Sequence, residues 1–288
     1  MTDLSSTPPS GPVALLPVVR TVTDAYQFTL QRIGQVVTAA IVPFALSMLV
    51  ALIDAGLGET PFAFVTLLVD LFAYAIFAVA WHRALLVNEP PSLLPRLGDR
   101  QLRFWLMTLL ITLIVAGVVV LPAFLFGLLA AGPSGSPMAL LALPLALSCV
   151  YLLARFSFVF PAAAVDERFG LGASWRTTAG NAWRLIGAYL LAVLPMMVVM
   201  LGLLAVGGGL LGVGGSLGGS GVGGALGVLM IVTLSVVNYI FAAVFVSLLS
   251  LSFRTCTGWI ADSGQTPPGS SPTAELPRND DSGDAGYH

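Results

Sequence analysis

The sequence predicts an all-α integral membrane protein with six transmembrane helices. Of its 288 residues, 57% are hydrophobic and only 9% are charged, whereas soluble domains are about 45–50% apolar and about 25% charged. So few charges could not cover the surface of a soluble fold. The second observation is a series of long apolar segments separated by short connections, and the third is the uneven distribution of arginine among those connections.

Six apolar segments follow one another along the chain, each near or above the ~20 residues that cross about 30 Å of hydrocarbon. They are 35–54, 61–84, 103–130, 137–163, 184–206 and 224–253. Four of them contain a proline: Pro43, Pro122, Pro144 and Pro195. Proline is tolerated in membrane helices, where it usually marks a kink, so all six segments are predicted to be helices.

The residues around these segments predict two polar tails and one additional helix. Residues 1–16 are rich in Ser, Thr and Pro and are expected to be disordered, and residues 261–288 form a disordered acidic tail. Residues 17–260 make one membrane domain. From Val18 to Arg32, apolar and polar side chains recur with helical spacing, which predicts an interfacial amphipathic helix before helix 1.

The distribution of arginine predicts the orientation in the membrane. The chain has no lysine, and eleven of its twelve basic residues lie in the terminal segments and in connections 2–3 and 4–5. These are Arg20, Arg32, Arg83, Arg96, Arg100, Arg103, Arg168, Arg176, Arg184, Arg254 and Arg278. The other three connections contain none. Because basic loops are retained on the cytoplasmic side, both termini are predicted to be cytoplasmic.

The stretch SWRTTAGNAWRLIG, residues 174–187, contains the dipeptide Trp-Arg twice. Its first residue is a favourable N-cap, so we expect an interfacial helix that begins there and turns into helix 5 near the second tryptophan. Tryptophan prefers the membrane interface, and the arginine fork binds phosphate groups. Trp175, Arg176, Trp183 and Arg184 are therefore predicted to contact anionic headgroups, either as a docking surface or as anchors that set tilt and depth.

Two ionisable residues, Asp70 and Arg155, fall inside predicted spans. A charge near the bilayer centre costs about 2.5–3.5 kcal/mol on insertion scales, so such residues usually have a partner. Counting 1.5 Å per residue along helices 2 and 4 places the two Cα atoms within ~5 Å of the same depth. We expect the two side chains to pair, either to fix helix packing or as a site for a substrate, ion or lipid headgroup. In the remaining interpretation, Arg155 snorkels to the inner interface without contacting Asp70.

The remaining motifs favour no catalytic chemistry. The glycine-rich run 207–227 lacks the GK[ST] ending of a phosphate-binding loop and is expected to form a flexible outer loop. The two histidines, His82 and His288, are far apart, and His82 is expected to cap the inner end of helix 2. The sequence thus predicts no catalytic residue, metal or cofactor, and the net charge of −2 indicates no nucleic-acid partner.

The run RFSFVFPAAAVDERFGLGASWRTTAGNAWRLIGAYLLAVLP, residues 155–195, resembles the central signature of a group of bacterial multi-helix inner-membrane proteins. That group includes the membrane domain attached to some glycerophosphodiester phosphodiesterases. The matching positions are Arg155, Pro161, Val165, Asp166, Glu167, Gly170, Ser174, Trp175, Thr178, Gly180, Asn181, Trp183 and Arg184. The resemblance implies a bacterial cytoplasmic membrane and this architecture. It would imply phosphodiester chemistry only with the catalytic barrel attached, and no region here is long and polar enough to form that barrel.

Three functions compete at this point. The first is a non-enzymatic membrane protein that organises lipids or partner proteins, with the Trp-Arg helix and the basic 2–3 connection on anionic headgroups and with a possible protein partner or second copy. The second is a transporter or permease for a small solute or lipid that uses Asp70 and Arg155 as an intramembrane site. The third is a membrane-embedded enzyme, which the scarcity of His, Glu and Lys disfavours.

Overall fold

The computed structural model describes residues 15–57, 63–129, 137–217 and 219–260, and all regular secondary structure within them is helical. The helices are α1 (Val18–Gln31), α2 (Ile33–Leu57), α3 (Ala63–Leu86), α4 (Asp99–Leu129), α5 (Pro137–Phe156), α6 (Val159–Ala164), α7 (Leu171–Thr178), α8 (Ala182–Leu217) and α9 (Gly219–Thr257). The predicted acidic tail and all but the last two residues of the predicted N-terminal tail lie outside the described residues.

Within the described residues, six stretches are long and apolar enough to cross a membrane. They are Ile33–Val50, Phe64–Leu86, Asp99–Val118, Pro144–Ala164, Ala182–Gly209 and Leu226–Thr257. They fall on the predicted segments in the same order, which confirms the all-α, six-span membrane fold. The four intramembrane prolines lie inside α2, α4, α5 and α8.

The fourth span is interrupted near its end, which the hydropathy pattern did not predict. α5 ends at Phe156, and α6 begins at Val159. Pro161 explains the interruption, because proline has no backbone N–H and its ring clashes with the carbonyl four residues earlier, that of Ser157. The last carbonyls of α5 therefore need partners from outside the helix.

The prediction of a flexible loop over the glycine-rich run 207–227 is wrong for most of that run. α8 continues to Leu217 and α9 begins at Gly219, so only residue 218 between them lies outside the described helices. Glycine weakens a helix by about 1 kcal/mol per residue, but in an apolar environment unpaired backbone groups cost more. A Cβ on Gly207 would collide with the Met230 thioether, so glycine permits close packing of α8 on α9 here.

The tightly packed core lies at one end of the bundle. This end, which we call the basic end, comprises the end of α3, the start of α4, the segment from the end of α6 to the start of α8, and the end of α9, all of which carry arginines. The largest fully buried side chains include Trp81, Phe104 and Phe253, each near the basic-end terminus of its helix. Toward the opposite end, apolar side chains such as Leu201 and Val228 are exposed. Such an apolar exterior suits contact with lipid tails, which are as apolar as leucine.

α1 packs against the basic end of the bundle through one face. Val22 and Ala25 on that face are buried, and the Tyr26 hydroxyl donates to the carbonyl of Ala192 in α8 at 2.7 Å. The helix lies where the amphipathic pattern predicts it. Leu16, the last residue but one to be described before α1 and part of the predicted N-terminal tail, is fully buried.

Candidate functional site

A carboxylate surrounded by arginines joins three helix ends at the basic end. Asp166, just after α6, accepts hydrogen bonds from Arg100 Nε at 2.8 Å and from Arg103 at 2.6 Å. A guanidinium nitrogen of Arg83 lies 3.9 Å from the same carboxylate, and Arg83 also donates to Glu89 at 2.6 Å. These contacts, which we call the Asp166 cluster, tie the end of α3 and the start of α4 to the end of α6.

Two arginines of the Asp166 cluster also cap α6. Arg83 donates to the carbonyl of Ala164 at 3.2 Å, and Arg103 donates to the carbonyl of Ala163 at 3.1 Å. The last carbonyls of a helix lack intrahelical partners and form the negative end of its dipole. The guanidinium groups supply hydrogen-bond donors to these carbonyls and positive charge to the negative end of the dipole, so these arginines stabilise the fold.

Two opposed effects act on the pKa of the Asp166 carboxyl. Burial alone would raise it above the ordinary value of 3.8, but the hydrogen bonds and positive charges of Arg100 and Arg103 outweigh burial and lower it. This cluster was not predicted from the sequence. The feature that could have indicated it is the Asp-Glu pair after the fourth span, which lies on the same predicted side as the four arginines near connection 2–3.

Arg155 is buried, only 5% exposed, between two aromatic rings. Its guanidinium carbon lies 4.1 Å from the ring centroid of Trp175 and 5.7 Å from that of Tyr151. Its backbone carbonyl, in the last turn of α5, accepts hydrogen bonds from the hydroxyls of Ser174 at 2.8 Å and Thr178 at 3.2 Å. These bonds hold α7 against the end of α5, which places Trp175 over the guanidinium.

The helix predicted to begin at Ser174 and to turn into helix 5 near the second tryptophan corresponds to α7, which begins earlier, at Leu171. α7 ends at Thr178 and α8 begins at Ala182, as predicted near the second tryptophan, with a turn at Ala179–Asn181 between them. The predicted N-cap, Ser174, lies inside α7, and its hydroxyl binds the α5 carbonyl. The prediction failed because the interhelical hydrogen bonds of α7 cannot be inferred from helical periodicity.

Asn181, at the start of α8, anchors the N-terminal segment. Its side-chain oxygen accepts a hydrogen bond from the backbone N–H of Leu16 at 2.9 Å. Arg184, one turn later, donates to the carbonyl of Leu16 at 3.2 Å. These contacts explain why Leu16 is part of the packed structure.

The two Trp-Arg pairs lie on the outside of the basic end. Trp183 is 70% exposed and Trp175 is 38% exposed, and both Arg176 and Arg184 are exposed. In the described part of the chain, Arg176 forms no ion pair or hydrogen bond through its side chain, and Arg184 contacts only the carbonyl of Leu16. Both arginine side chains are therefore accessible, each next in sequence to an exposed tryptophan.

The structure does not bring Asp70 and Arg155 together. Asp70 is exposed on α3 and, among the described residues, forms no ion pair. It lies roughly 24 Å from the basic end of its helix at 1.5 Å per residue. Arg155 is instead held beside α7 by Trp175, so the expected pair is replaced by a cation–aromatic contact.

A buried polar network joins α1, α3 and α9. The Trp81 indole N–H donates to the Ser247 hydroxyl at 2.8 Å, and Thr29 lies 3.2 Å from the same oxygen. His82 Nδ1 lies 2.7 Å from the Ser250 hydroxyl and is almost fully buried, so the expectation of an interfacial end-cap is wrong. Buried polar groups require such partners, and these contacts explain the serines of α9 as packing residues.

The comparisons with known proteins give no family assignment. No protein-family model matches the chain, and neither a curated protein nor a solved structure matches it. Within the described residues, no three metal-ligating side chains converge. The fold defines the chain as a multi-pass integral membrane protein, with its polar and charged contacts concentrated at the basic end.

Proposed function

We propose that this protein is a non-enzymatic organiser of a bacterial cytoplasmic membrane, whose basic end binds anionic lipid headgroups and through them arranges lipids or partner proteins. The observation that carries the proposal is the outward position of both Trp-Arg pairs. Indole rings prefer the headgroup layer, and adjacent guanidinium groups bind phosphate oxygens in a bidentate manner.

The arginines of the basic end divide into two groups with different roles. Those of the Asp166 cluster are engaged by carboxylates and by the carbonyls of α6. Arg176 and Arg184 keep most of their donors outward. A cation whose donors are already satisfied contributes little to ligand binding. The Trp-Arg pairs are therefore the part of the basic end suited to headgroups.

The proposed orientation places this end in the cytoplasm. Eleven of the twelve arginines lie in the terminal segments and in the connections between spans 2–3 and 4–5, and basic loops are retained on the cytoplasmic side. The cytoplasmic leaflet also carries the anionic lipids that would bind them. A protein partner or a second copy of the chain is compatible with the same surface.

The transporter alternative gains no support from the described structure. Asp70 and Arg155 do not meet. A cavity of about 130 Å³ between α8 and α9 is lined mainly by apolar side chains such as Leu203 and Leu229, and neither charged residue lines it.

The test compares the melting temperature of the protein in nanodiscs of pure phosphatidylcholine and in nanodiscs that also contain phosphatidylglycerol. A lipid that binds the folded protein raises its stability by an amount that increases with its affinity. We expect phosphatidylglycerol to raise the melting temperature of the wild type, and the double variant Arg176→Ala, Arg184→Ala to lose most of that increase.

The matched control is Arg168→Ala, Arg254→Ala, which removes the same charge from two other exposed arginines of the basic end. It should keep most of the increase, because neither residue adjoins an exposed Trp-Arg pair. An equal increase in the wild type and the Arg176→Ala, Arg184→Ala variant would refute the proposal.

A further inference from the structure

We propose that Arg155 is the centre of a specific binding site for a phosphate oxyanion, supplied by the headgroup of an anionic phospholipid. This inference rests on the proposed function and adds one defined site to a diffuse charged surface. Its basis is a buried arginine whose charge and donors the described protein leaves unpaired.

The charge of Arg155 requires a counterion. The guanidinium group does not lose its proton in proteins, and a buried charge is costly unless it is paired. Among the described residues, no carboxylate pairs with it. Asp166 and Glu89 are engaged in the Asp166 cluster, and Glu167 accepts from the indole of Trp259 at 2.8 Å. The missing anion must therefore come from outside the described chain.

At least one hydrogen-bond donor of Arg155 also lacks a partner. Its Nε is buried and has no acceptor among the described residues. The faces of Trp175 and Tyr151 stabilise the cation but supply no hydrogen-bond acceptor in the plane of the guanidinium. A guanidinium held in this way presents a rigid fork of donors, which matches two oxygens of a phosphate group.

The surroundings place this fork at the level of lipid headgroups. The Tyr151 ring lies 6.1 Å from the Trp175 ring and 5.8 Å from that of Trp183, so Tyr151 links the buried arginine to the exposed indole. Trp175 is 38% exposed and lies 4.1 Å from the guanidinium carbon. The proposed site requires this ring to move outward so that a phosphate oxygen can reach the buried Nε.

A lipid fits this position better than a soluble phosphate. Tyr151 lies in α5, within the fourth membrane span, and Trp175 lies in α7, outside the spans. A phospholipid bound between them can keep its tails in hydrocarbon while its phosphate reaches the fork. Inorganic phosphate offers the same oxyanion without the tails. The two sources share one recognition chemistry and are distinguished by experiment.

The experiment is native mass spectrometry of the full-length protein in detergent, titrated with phosphatidylglycerol, with phosphatidylcholine, or with phosphatidylglycerol in the presence of inorganic phosphate. We expect the wild type to bind its first phosphatidylglycerol at least about tenfold more tightly than Arg155→Met, the loss expected when a hydrogen-bonded charge is removed. The exposed Arg168→Ala variant, which removes one positive charge from the same end, should bind like the wild type.

A second variant keeps the test decisive if Arg155→Met does not fold. Arg155→Lys retains the charge but lacks the planar fork, and we expect severalfold weaker binding of the first phosphatidylglycerol. Wild-type affinity in either folded variant would overturn the site. Displacement of the lipid by inorganic phosphate in the wild type alone would support the same site with a soluble phosphate as its natural ligand.

The outcome separates this inference from the proposed function. Unchanged binding in Arg155→Met, together with lost binding in Arg176→Ala, Arg184→Ala, would overturn the Arg155 site and leave the proposed function standing. Unchanged binding in both variants would overturn both.

Discussion

Asp166 is the residue through which the charges at the basic end hold three helices together. Replacing it with asparagine removes the negative charge and leaves Arg100 and Arg103 without their counterion. Hydrogen bonds to charged groups contribute about 1.5–3 kcal/mol, and partial solvent exposure of the cluster reduces that value. We expect Asp166→Asn to lower the free energy of unfolding by about 1–2 kcal/mol, measured by denaturation in mixed detergent micelles.

The control for this prediction is Asp24→Asn. Asp24 pairs with Arg20 at 3.8 Å in an exposed i, i+4 arrangement, and exposed pairs of this kind contribute little. Equal destabilisation by the two variants would show that the Asp166 cluster has no special role in the fold.

The same carboxylate predicts a pH dependence. Because the pKa of Asp166 is lowered in the folded state, its contribution to stability is fully present above the ordinary pKa of 3.8 and is lost as the pH falls through the lower folded value. Thermal unfolding at a series of acidic pH values should show a loss of stability below about pH 4 that is smaller in Asp166→Asn. Parallel curves for the wild type and the variant would contradict this assignment.

At the residue scale, the sequence predicted which side chains are exposed better than which ones pair. The outward position of Trp183 follows from interfacial preference, a property of the residue itself. The partner of Arg155 did not follow, because depth along two helices does not determine the direction in which each side chain points. Arg155 lies against Trp175 of α7, far from Asp70.

Among the helices, α7 depends most clearly on a few hydrogen bonds to a neighbour. The hydroxyls of Ser174 and Thr178 in α7 donate hydrogen bonds to the Arg155 carbonyl at the end of α5. Ser174→Ala combined with Thr178→Val leaves that buried carbonyl unpaired, which costs about 1–3 kcal/mol. We expect a lower melting temperature in detergent and a more exposed, red-shifted tryptophan emission as α7 detaches.

Thr177→Val is the matched control, since Thr177 is only partly buried and its hydroxyl forms no hydrogen bond within the described structure. It should leave both the melting temperature and the emission near wild-type values. An effect as large as that of the double variant would mean that helix propensity, and not the clamp on α5, holds α7 in place.

The interruption of the fourth span shows what hydropathy can and cannot predict about an element. Hydropathy located the span, but Pro161 determines where α5 ends and which carbonyls need outside partners. Conversely, glycine content alone predicted a loop over residues 207–227, but α8 continues as a helix to Leu217. In both places the surroundings of the backbone decided the outcome.

The molecule combines a tightly packed basic end with helices that expose apolar side chains toward the opposite end of the bundle. The six spans and their order were predictable, because length and hydropathy reflect the thickness of the membrane. The concentration of the core and of the ion pairs at one end could not be predicted, since it arises from contacts between helices that are distant in sequence.

The orientation has a direct test. The background variant carries Cys149→Ala and Cys256→Ala, and either Arg168→Cys or Ser134→Cys is added to it. The two resulting variants should differ in their reaction with a membrane-impermeant maleimide applied to intact cells. We expect the cysteine at position 134 to react and that at position 168 to react only after permeabilisation, because the arginine-rich connections are proposed to be cytoplasmic. The reverse pattern would contradict the proposed orientation.

The measurement that tests the central claim most directly is native mass spectrometry of the protein gently extracted from its own membrane, with the retained lipids identified. The account predicts retained anionic phospholipid that is largely lost in the Arg176→Ala, Arg184→Ala variant. A wild-type protein that retains no phospholipid, or that retains zwitterionic and anionic lipids equally, would contradict headgroup recognition by the basic end.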